Sequence, residues 1–481
     1  MNCDIVNKNQ LRRTKIICTI GPSTNSPAQI EKLILSGMDV ARLNFSHGNH
    51  KEHGNCINTI RKIGKKLRLP IAIMQDLPGP KNRIGKFAEG MIELKKDDIF
   101  TITDKKVLGD KSKVSVSVPH LSQRVNVGDD IFLNDGTMKL KVLDTTSTDI
   151  KCQVMVGGML GSEKGINIPN VETDISALTD DDWKHLDFGV EQKVDFVALS
   201  FVSSADDIIK VREFIHSKNA NIGIIAKIER NTALDNLDEI IDCADGIMVA
   251  RGDLGLEIPI QRVPIVQKNI INKCNLLGKP VIVATQMLES MVNSPTPNRP
   301  EVTDIANAIF DGADALMLSE ETAIGSYPIE AVSMMFKIIM ETEAALPYDE
   351  ILASKGKHIQ AQTNDAISYS ACHIAQQLGA VAIITFTTSG ATARRVARYR
   401  PKVPTMAITS NKETQKQLSL SWGVHAFLVK DAKKITDLFA QGAEVAKSIG
   451  IGKKGDLIVI TGGIPVGVSG GTNLLKVETI C

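Results

Sequence analysis

Several short apolar segments of this sequence end in charged or hydroxyl side chains that could take part in chemistry. These side chains are Arg42, Asn44, Ser46, Asp76, Lys227, Glu229, Asp253, Thr285, Ser319 and Glu321. Some of them, such as Lys227 and Glu229, stand two residues apart, and residues at this spacing share one face of a β-strand. We therefore expect the polar groups to gather at the ends of neighbouring strands.

Two of these residues suggest a metal site. Glu229 and Asp253 would end adjacent strands and lie about 5 Å apart, a separation at which two carboxylates repel unless a cation lies between them. Such oxygen ligands suit Mg²⁺ or Mn²⁺. Lys227 and Arg42 add fixed positive charge at the same place. Metal, lysine and arginine together would supply the charge neutralisation that phosphoryl transfer requires.

The segments that carry these residues are β-branched and alternate with amphipathic stretches. The eight strand-like segments are residues 15–22, 39–46, 71–79, 195–202, 222–229, 246–253, 280–287 and 314–321. Helical patterns occur at residues 179–193, 205–217, 262–277, 301–311 and 328–345. Such alternation produces right-handed parallel units. Eight of them predict an α/β fold, a (β/α)8 TIM barrel whose active site lies at the carboxyl ends of the strands.

One connection of about ninety residues interrupts the barrel pattern after the third strand. Within it, short strands are predicted at residues 91–103, 113–118, 129–142 and 149–156, with turns at residues 134–136 and 157–158. We interpret this stretch as an inserted small β-barrel domain that acts as a lid, because it enters from the catalytic face.

Beyond residue 347 a second alternating pattern begins, with strand-like runs at residues 381–386, 403–408, 425–429 and 456–460. This pattern predicts a C-terminal α/β domain, for which a regulatory role is argued from a candidate anion-binding turn and from a family resemblance. The expected division is a catalytic barrel of residues 1–80 and 175–347, a lid of residues 81–174, and a C-terminal domain of residues 348–481.

Composition excludes several classes of function. The 481 residues carry a formal net charge of +1 and only 4% aromatic residues, so we expect neither nucleic acid nor a membrane as a partner. The eight cysteines form no C-x-x-C pair, which favours reduced thiols and a cytoplasmic location. The sequence also lacks a P-loop, a dinucleotide-binding G-x-G-x-x-G after a strand, and an H-E-x-x-H zinc motif.

Five motifs resemble the pyruvate kinase family. They are ARLNFSHG (41–48), AKIER (226–230), GIMVARGDLGLEIP (246–259), GKPVIVATQMLESM (278–291) and DGADALMLSEETAIGSYP (311–328). The similarity runs in order from about residue 15 to the C-terminus. It implies phosphoryl transfer from phosphoenolpyruvate to ADP, giving pyruvate and ATP in glycolysis, with Mg²⁺ or Mn²⁺ and typically a homotetramer.

The resemblance assigns roles to matching positions. Lys227 would neutralise the phosphoryl group, Arg42 would contact it, and Glu229 and Asp253 would bind the divalent metal. Gly252, Asp253 and Thr285 would bind the substrate, and Thr285, Ser319 and Glu321 would form a proton relay. The nucleotide side and the lid would contribute Asn44, His47, Arg83, Asp135 and Lys164.

One departure from the family pattern concerns potassium. The usual text after the third strand is D-T-K-G-P-E-I-R-T, whereas this chain has Leu77 for the threonine and Lys81 for the glutamate. The family's monovalent-cation pocket would comprise Asn44, Ser46 and Asp76. An ammonium group carries the charge of K⁺, so Lys81 predicts an enzyme that does not require potassium.

The third domain contains a candidate effector site. Small and hydroxyl residues stand between a strand and a helix, an arrangement that binds anions at a helix start. These residues are Thr387, Thr388, Ser389, Gly390 and Thr392. A Gly-rich stretch at residues 461–473 could fold over a ligand. Activation by a phosphorylated metabolite is expected, and fructose bisphosphate, ribose 5-phosphate and AMP all remain open.

Two alternatives compete with this interpretation. A metal-dependent aldolase or mutase acting on pyruvate or phosphoenolpyruvate would also use a barrel, acidic metal ligands and an arginine. A catalytically inactive relative with a regulatory or binding role is the other alternative. The lid and the motif around Lys227 argue against the first. The second is opposed by the intact set of Arg42, Lys227, Glu229, Asp253 and Thr285.

Overall fold

The structure is a computed structural model, and it describes residues 11–134, 136–169, 177–430, 434–465 and 471–480. Within these residues the chain forms twenty-one β-strands and sixteen α-helices, numbered here in chain order. Eight of the strands close a parallel barrel. They are β1 (Lys15–Thr19), β2 (Val40–Asn44), β3 (Ala72–Asp76), β12 (Phe196–Leu199), β13 (Gly223–Ile228), β14 (Gly246–Ala250), β15 (Val281–Ala284) and β16 (Ala315–Leu318). The predicted TIM barrel is confirmed.

Eleven helices accompany the barrel strands in the described part of the chain. They are α1 (Pro27–Ser36), α2 (His50–Leu67), α3 (Asp180–Glu191), α4 (Ala205–Ser217), α5 (Asn231–Asp235), α6 (Leu237–Cys243), α7 (Arg251–Glu257), α8 (Val263–Leu277), α9 (Arg299–Asp311), α10 (Glu320–Ala323) and α11 (Pro328–Ala344). Side-chain caps explain several starts: Asn49 accepts a hydrogen bond from the backbone of Glu52 at α2, and Thr179 accepts one from Asp182 at α3. The five predicted helices are confirmed to within two residues at each end.

The barrel strands are apolar on both faces, as expected for strands enclosed by helices. Alternate residues point inward and form one cluster that includes Ile17, Val40, Met74, Ala198 and Ile225. The residues between them face the helices and belong to a larger cluster. This strict alternation decides which polar side chains reach the barrel mouth.

Between β3 and α3 the described residues form eight short strands around a separate apolar core. They are β4 (Met91–Leu94), β5 (Ile99–Thr103), β6 (Lys113–Ser115), β7 (Asp130–Leu133), β8 (Met138–Thr145), β9 (Asp149–Val156), β10 (Gly158–Gly161) and β11 (Ile166–Asn167). β4 pairs with β10, and the other six strands form one sheet. The stretch expected as a strand at 91–103 is divided by a turn at Asp97, which has a positive φ. The turn expected at residues 134–136 separates β7 from β8, and Asn134 there also has a positive φ.

The C-terminal part folds around a third sheet. Its elements are α12 (Tyr348–Gly356), α13 (Thr363–Gln377), β17 (Ala382–Phe386), α14 (Ala391–Ala397), β18 (Thr405–Thr409), α15 (Lys412–Gln417), β19 (Val424–Leu428), α16 (Ile435–Ser448), β20 (Leu457–Gly463) and β21 (Thr472–Thr479). The sheet order is β19-β18-β17-β20-β21, and β21 is antiparallel to β20. Ion pairs join this part to the barrel, at 3.0 Å between Arg400 and Asp314 and 3.2 Å between Lys416 and Asp195.

The residue limits expected for the three domains stay a prediction. Among the described helices, none combines the length and the apolar character needed to cross a membrane.

Candidate active site

Five polar side chains form the top inward layer of the barrel. Each follows an inward apolar residue by two positions, which places it on the same face of its strand at the carboxyl end. They are Thr19, Arg42, Asp76, Ser200 and Lys227. Because side chains alternate between the two faces of a strand, these residues from five separate segments all point into the barrel at its carboxyl end.

Lys227 lies at the centre of this layer. Its Nζ is 3.3 Å from Oδ1 of Asp76, 2.8 Å from Oε1 of Glu229 and 2.6 Å from Oγ of Ser200. Burial alone would lower the pKa of Lys227, but the charges of Asp76 and Glu229 raise it above its usual range. The side chain is therefore a permanent cation in this site.

Asp76 links Lys227 to Arg42. Its Oδ2 accepts a hydrogen bond from Nε of Arg42 at 2.6 Å, and Arg42 Nη1 donates to the hydroxyl of Thr19 at 2.9 Å. Burial would raise the pKa of Asp76, but Lys227 and Arg42 outweigh it and lower the pKa. The two cations are thus fixed by one buried carboxylate.

Glu229 directly follows β13 and is almost fully buried, with 1% of its side chain exposed. Its Oε2 accepts a hydrogen bond of 2.7 Å from the backbone N–H of Phe201. Burial raises the pKa of Glu229, Lys227 opposes the rise, and the nearby charge of Asp253 adds to it. Asp253 lies in the first turn of α7 and not at a strand end, because the chain turns into that helix directly after Ala250.

The donor set of Glu229 and Asp253 fits a hard divalent cation. Both offer carboxylate oxygens, and the charge of Asp253 adds to the raised pKa of Glu229, an effect that a bound cation would oppose. Within the residues that the structure describes, no set of three or more His, Cys, Asp and Glu side chains forms a complete metal cage. An ion held by these two residues would take its other oxygens from water or substrate, as Mg²⁺ commonly does.

Thr285 follows the end of β15 and has a positive φ of 69°. Its Oγ1 accepts a hydrogen bond from the backbone N–H of Gly252 at 2.9 Å and donates to the carbonyl of Ala284 at 2.6 Å. The structure therefore brings Thr285 and Gly252 together, although Thr285 lies beyond the strand in which the sequence pattern placed it.

Glu321 lies in α10 and holds two backbone segments together. Its carboxylate accepts hydrogen bonds from the N–H of Leu288 at 3.0 Å and of Ser319 at 2.7 Å. Burial raises the pKa of Glu321. The arrangement ties Ser319 to the segment that follows Thr285.

The end of β2 and the loop after it carry three candidate residues. Asn44 is the register partner of Asp76 on β3, and its Oδ1 accepts a hydrogen bond from the N–H of Ser46 at 3.2 Å. Ser46 and His47 are exposed, and the His47 carbonyl is 2.9 Å from Nε2 of His53.

A cleft of about 440 Å³ lies between the barrel mouth and the inserted strands. Asp253, Phe201, Arg230 and Glu257 line it from the barrel, and Lys81 lines it near the start of the insertion. Nδ2 of Asn167, in β11, donates a hydrogen bond of 2.8 Å to Oε1 of Glu257. This contact closes one side of the cleft.

The remaining lid candidates lie at the surface of the insertion. Arg83 and Lys164 are exposed, and Nη1 of Arg83 donates to the carbonyl of Glu163 at 2.8 Å. Asp135 lies outside the described residues.

The effector candidates cluster where β17 passes into α14. Gly390 adopts a φ of 84°, and its N–H donates to Oγ1 of Thr387 at 2.9 Å. The carbonyl of Thr388 accepts from Thr414 at 2.7 Å, and that of Ser389 accepts from Arg394 at 2.8 Å. The hydroxyl of Thr392 is 2.8 Å from that of Thr472, which starts β21. The turn is thereby tied to the far end of the Gly-rich stretch, of which residues 466–470 lie outside the described part.

Sequence reasoning missed two residues that contact the site, and it missed the contact made by a third, Arg251, which ends the sixth strand-like segment together with Gly252 and Asp253. Ser200 and Thr19 hydrogen-bond to Lys227 and Arg42, and each is a hydroxyl at the inward position of its strand end, a signal that was available. Arg251 contacts the turn at Thr285 through backbone carbonyls, for which the sequence carries no signal.

The fold and the site together define a barrel enzyme whose mouth concentrates two cations and three carboxylates beside an inserted β-sheet domain. The sequence profile described as "Pyruvate kinase, barrel domain" matches residues 11–332, and the one described as "Pyruvate kinase, alpha/beta domain" matches residues 365–478. The chain belongs to the pyruvate kinase family, and it is a phosphotransferase.

Individual relatives agree with this assignment. A pyruvate kinase of Geobacillus stearothermophilus is 46% identical over 98% of this chain and 80% of its own length. One of Clostridium acetobutylicum is 44% identical over 98% of this chain and its full length. A crystal structure of a pyruvate kinase from Cryptosporidium parvum superimposes with a TM-score of 0.94 at 35% identity, covering 100% of this chain and 99% of that one.

Proposed function

We propose that this chain transfers the phosphoryl group of phosphoenolpyruvate to ADP, so that phosphoenolpyruvate, ADP and one proton become pyruvate and ATP. The observation that carries this proposal is the position of Lys227 between Asp76 and Glu229. Arg42 forms an ion pair with the same carboxylate of Asp76. Fixed cations beside a metal-binding pair are what a transferring phosphoryl group requires.

Each group of the mouth has a proposed role. Lys227 is a permanent cation that neutralises the phosphoryl oxygens and the enolate left after transfer, and Arg42 orients the phosphoryl group. Asp76 fixes both cations by accepting hydrogen bonds from them. The backbone at Gly252 and Asp253 would bind the substrate carboxylate, and the hydroxyl of Thr285, held by the N–H of Gly252, lies beside it.

The divalent ion, Mg²⁺ or Mn²⁺, would be held by Glu229 and Asp253. When bound, it would neutralise phosphoryl and enolate charge. Glu321 and Ser319 are proposed to belong to the proton relay with Thr285, and the hydrogen bonds of Glu321 to Leu288 and Ser319 support a shared position.

The cleft under the insertion is the proposed nucleotide side. Asn44, His47 and Arg83 would face the nucleotide or its cation, and Asp135 and Lys164 would approach it from the lid. The hydrogen bond between Asn167 and Glu257 supports a closed position of the lid over this cleft. ATP formation would then take place in a site that excludes water.

A coupled assay with phosphoenolpyruvate, ADP and Mg²⁺ tests the proposal. ATP measured with luciferase and pyruvate measured with lactate dehydrogenase should appear in equal amounts. Pyruvate or a rearranged product without ATP would instead identify an aldolase or mutase. The variant Lys227→Met should be inactive, and a wild-type chain no more active than this variant would identify a regulatory relative.

Potassium independence is a further part of the proposal. Lys81 lines the cleft that also contains Asp253, and it lies five positions after Asp76, the register partner of Asn44. A tethered ammonium can supply the charge that a bound K⁺ would otherwise supply.

Activation by a phosphorylated metabolite, a sugar phosphate or a nucleotide, is proposed for the turn at residues 387–392. The positive φ of Gly390 and the bond between Thr392 and Thr472 support a preformed turn beside the Gly-rich stretch. Fructose bisphosphate, ribose 5-phosphate or AMP should lower the half-saturating concentration of phosphoenolpyruvate.

The variant Ser389→Asp should remove this activation by charge repulsion. Ser410→Asp, in the next strand-to-helix turn of the same sheet, should keep it. Unchanged half-saturation with all three compounds would contradict the proposal.

A homotetramer in the cytoplasm is the proposed setting. Ile260, Ile265 and Ile324 are each more than half exposed on the barrel, at 69%, 67% and 56%, which supports contacts between subunits. Cys18, Cys152, Cys274 and Cys372 are buried free thiols, which supports a reducing compartment. Light scattering of the purified protein measures the subunit number directly.

A further inference from the structure

The turn after β15 holds two consecutive residues in a conformation that side chains avoid. Thr285 has a φ of 69° and Gln286 a φ of 56°. For a β-branched residue such as threonine this region is an outlier, because Cβ approaches the following backbone too closely. Such a conformation persists only where the surrounding structure imposes it.

The guanidinium of Arg251, the first residue of α7, spans this turn. Its Nε lies 3.3 Å from the carbonyl oxygen of Ala284, and its Nη2 lies 2.6 Å from that of Thr285 and 3.4 Å from that of Gln286. Nη2 is also 2.9 Å from Sδ of Met287. One rigid planar group thus contacts four successive residues, and its fixed geometry matches the turn.

Asp304, on α9, fixes the guanidinium from the other side. Its Oδ2 lies 2.6 Å from Nη1 of Arg251, and the arginine side chain is only 12% exposed. A partly buried arginine bound to a carboxylate has few alternative positions. The guanidinium N–H groups that bind the carbonyls of the turn are therefore held in place.

The result is a fixed hydroxyl at the barrel mouth. Oγ1 of Thr285 donates to the carbonyl of Ala284 at 2.6 Å and accepts from the N–H of Gly252 at 2.9 Å. Gly252 and Asp253 follow Arg251 directly in the chain. The same arginine therefore fixes Thr285 relative to the residues that would bind the substrate and the metal.

We propose that Arg251 is a positioning residue that acts through Thr285, holding its strained turn so that the hydroxyl faces the substrate next to Gly252 and Asp253. This inference rests on the proposed function. It assigns a role to Arg251, whose side chain contacts backbone carbonyls and Asp304.

A double-mutant cycle between Arg251→Met and Thr285→Val tests the proposal. Arg251→Met should lower kcat/KM for phosphoenolpyruvate by about 10²-fold, because a displacement of about 1 Å in a positioned group can cost that much. In the Thr285→Val background the same change should cost less than about 3-fold, since residues that act as one unit are not additive. Equal losses in both backgrounds would overturn the proposal.

Two further variants separate positioning from general destabilisation. Arg251→Lys keeps a charge opposite Asp304 and should recover part of the activity. Arg212→Met serves as a matched control, because Arg212 also bonds a carboxylate and a carbonyl, those of Asp245 and Cys243, away from the mouth. It should retain wild-type kcat/KM, and losses equal to those of Arg251→Met would contradict a specific role.

A structural measurement keeps the inference separate from the proposed function. The methyl resonance of Thr285, assigned with Thr285→Ser, should shift in Arg251→Met and stay in place in Arg212→Met. Wild-type enzyme that makes no ATP would refute the proposed function, whereas an unmoved methyl resonance would refute the role of Arg251.

Discussion

The ammonium group of Lys227 lies 2.8 Å from Oε1 of Glu229, two residues further along the chain. The other oxygen of Glu229 accepts the N–H of Phe201 at 2.7 Å, so both oxygens are held in place. A metal ion held by Glu229 and Asp253 would compete with Lys227 for this carboxylate or share it with Lys227. The contact therefore joins the proposed phosphoryl-binding cation to the proposed metal site.

The variant Glu229→Gln tests this connection. An amide keeps the shape but loses the charge that attracts both Lys227 and a divalent ion. We expect kcat/KM to fall and the Mg²⁺ concentration for half-maximal activity to rise, each by at least about 10²-fold. Titration of activity with Mg²⁺ measures both quantities. Glu213→Gln, on the exposed face of α4, is the control, and a Mg²⁺ requirement unchanged in Glu229→Gln would rule out this ligand.

Lys81→Glu should convert a potassium-independent enzyme into a dependent one. The change removes the tethered cation and adds an anion that a bound K⁺ would neutralise. The wild type should be equally active in sodium, potassium and tetramethylammonium chloride, whereas the variant should be stimulated at least about 10-fold by potassium.

The control for this experiment is Lys86→Glu. Lys86 is an exposed lysine of the same insertion, and the substitution makes the same change of charge. It should show no potassium response. Strong stimulation of the wild type by potassium would contradict the role of Lys81.

Contacts between site residues close together in the sequence could be predicted directly, whereas contacts between distant residues required a prediction of the fold. The two-residue period identified Lys227 and Glu229, because both lie at the end of one strand. The contact of Lys227 with Asp76 spans 151 positions, and only closure of the predicted barrel brings them together. The alternation of strands and helices was sufficient to predict that closure.

Features that depend on local backbone geometry were not predictable. The sequence placed Asp253 and Thr285 within strands, whereas the first lies in the first turn of a helix and the second lies in a turn with positive φ. Threonine has no preference for that conformation, and contacts distant in sequence, with Arg251 and Gly252, accompany it. In the insertion, Asp97 adopts a positive φ and divides a stretch whose apolar pattern appeared continuous.

Asn167→Asp should weaken closure of the cleft. The new carboxylate would face Oε1 of Glu257, which now accepts the amide of Asn167 at 2.8 Å. We expect the KM for phosphoenolpyruvate or ADP to rise about 3- to 10-fold, because lid closure contributes to substrate retention. The radius of gyration from small-angle scattering should also increase.

The pH dependence of this defect provides a second check. Burial raises the pKa of Glu257, so this carboxyl loses its charge at a higher pH than an ordinary glutamate. Repulsion should therefore be stronger at pH 8 than at pH 6, and the KM defect should shrink on acidification. Asn126→Asp, elsewhere in the insertion and exposed, should show no such change. A defect independent of pH would indicate that repulsion is not the cause.

Lys355→Met should stabilise the protein, most strongly at neutral and lower pH. Burial and the charge of Arg400 lower the pKa of Lys355 to about 7, Asp314 opposes this shift, and Arg398 adds to it. The only hydrogen bond of its Nζ described here, to Asn275, is long at 3.2 Å. Below pH 7 the folded state therefore contains a poorly compensated charge that lowers its stability. This loss of stability disappears as the pH rises towards 10.5, the ordinary pKa of a lysine.

Thermal unfolding at two pH values measures this penalty. Lys355→Met should raise the Tm at pH 6.5 by about 2–4 °C over the wild type, and the difference should be smaller at pH 9.5. Lys357→Met, an exposed position at the end of the same helix, should leave the Tm nearly unchanged at both. If the gain were larger at pH 9.5, the assumed sign of the pKa shift would be wrong, because only a lowered pKa concentrates the cost on the acidic side.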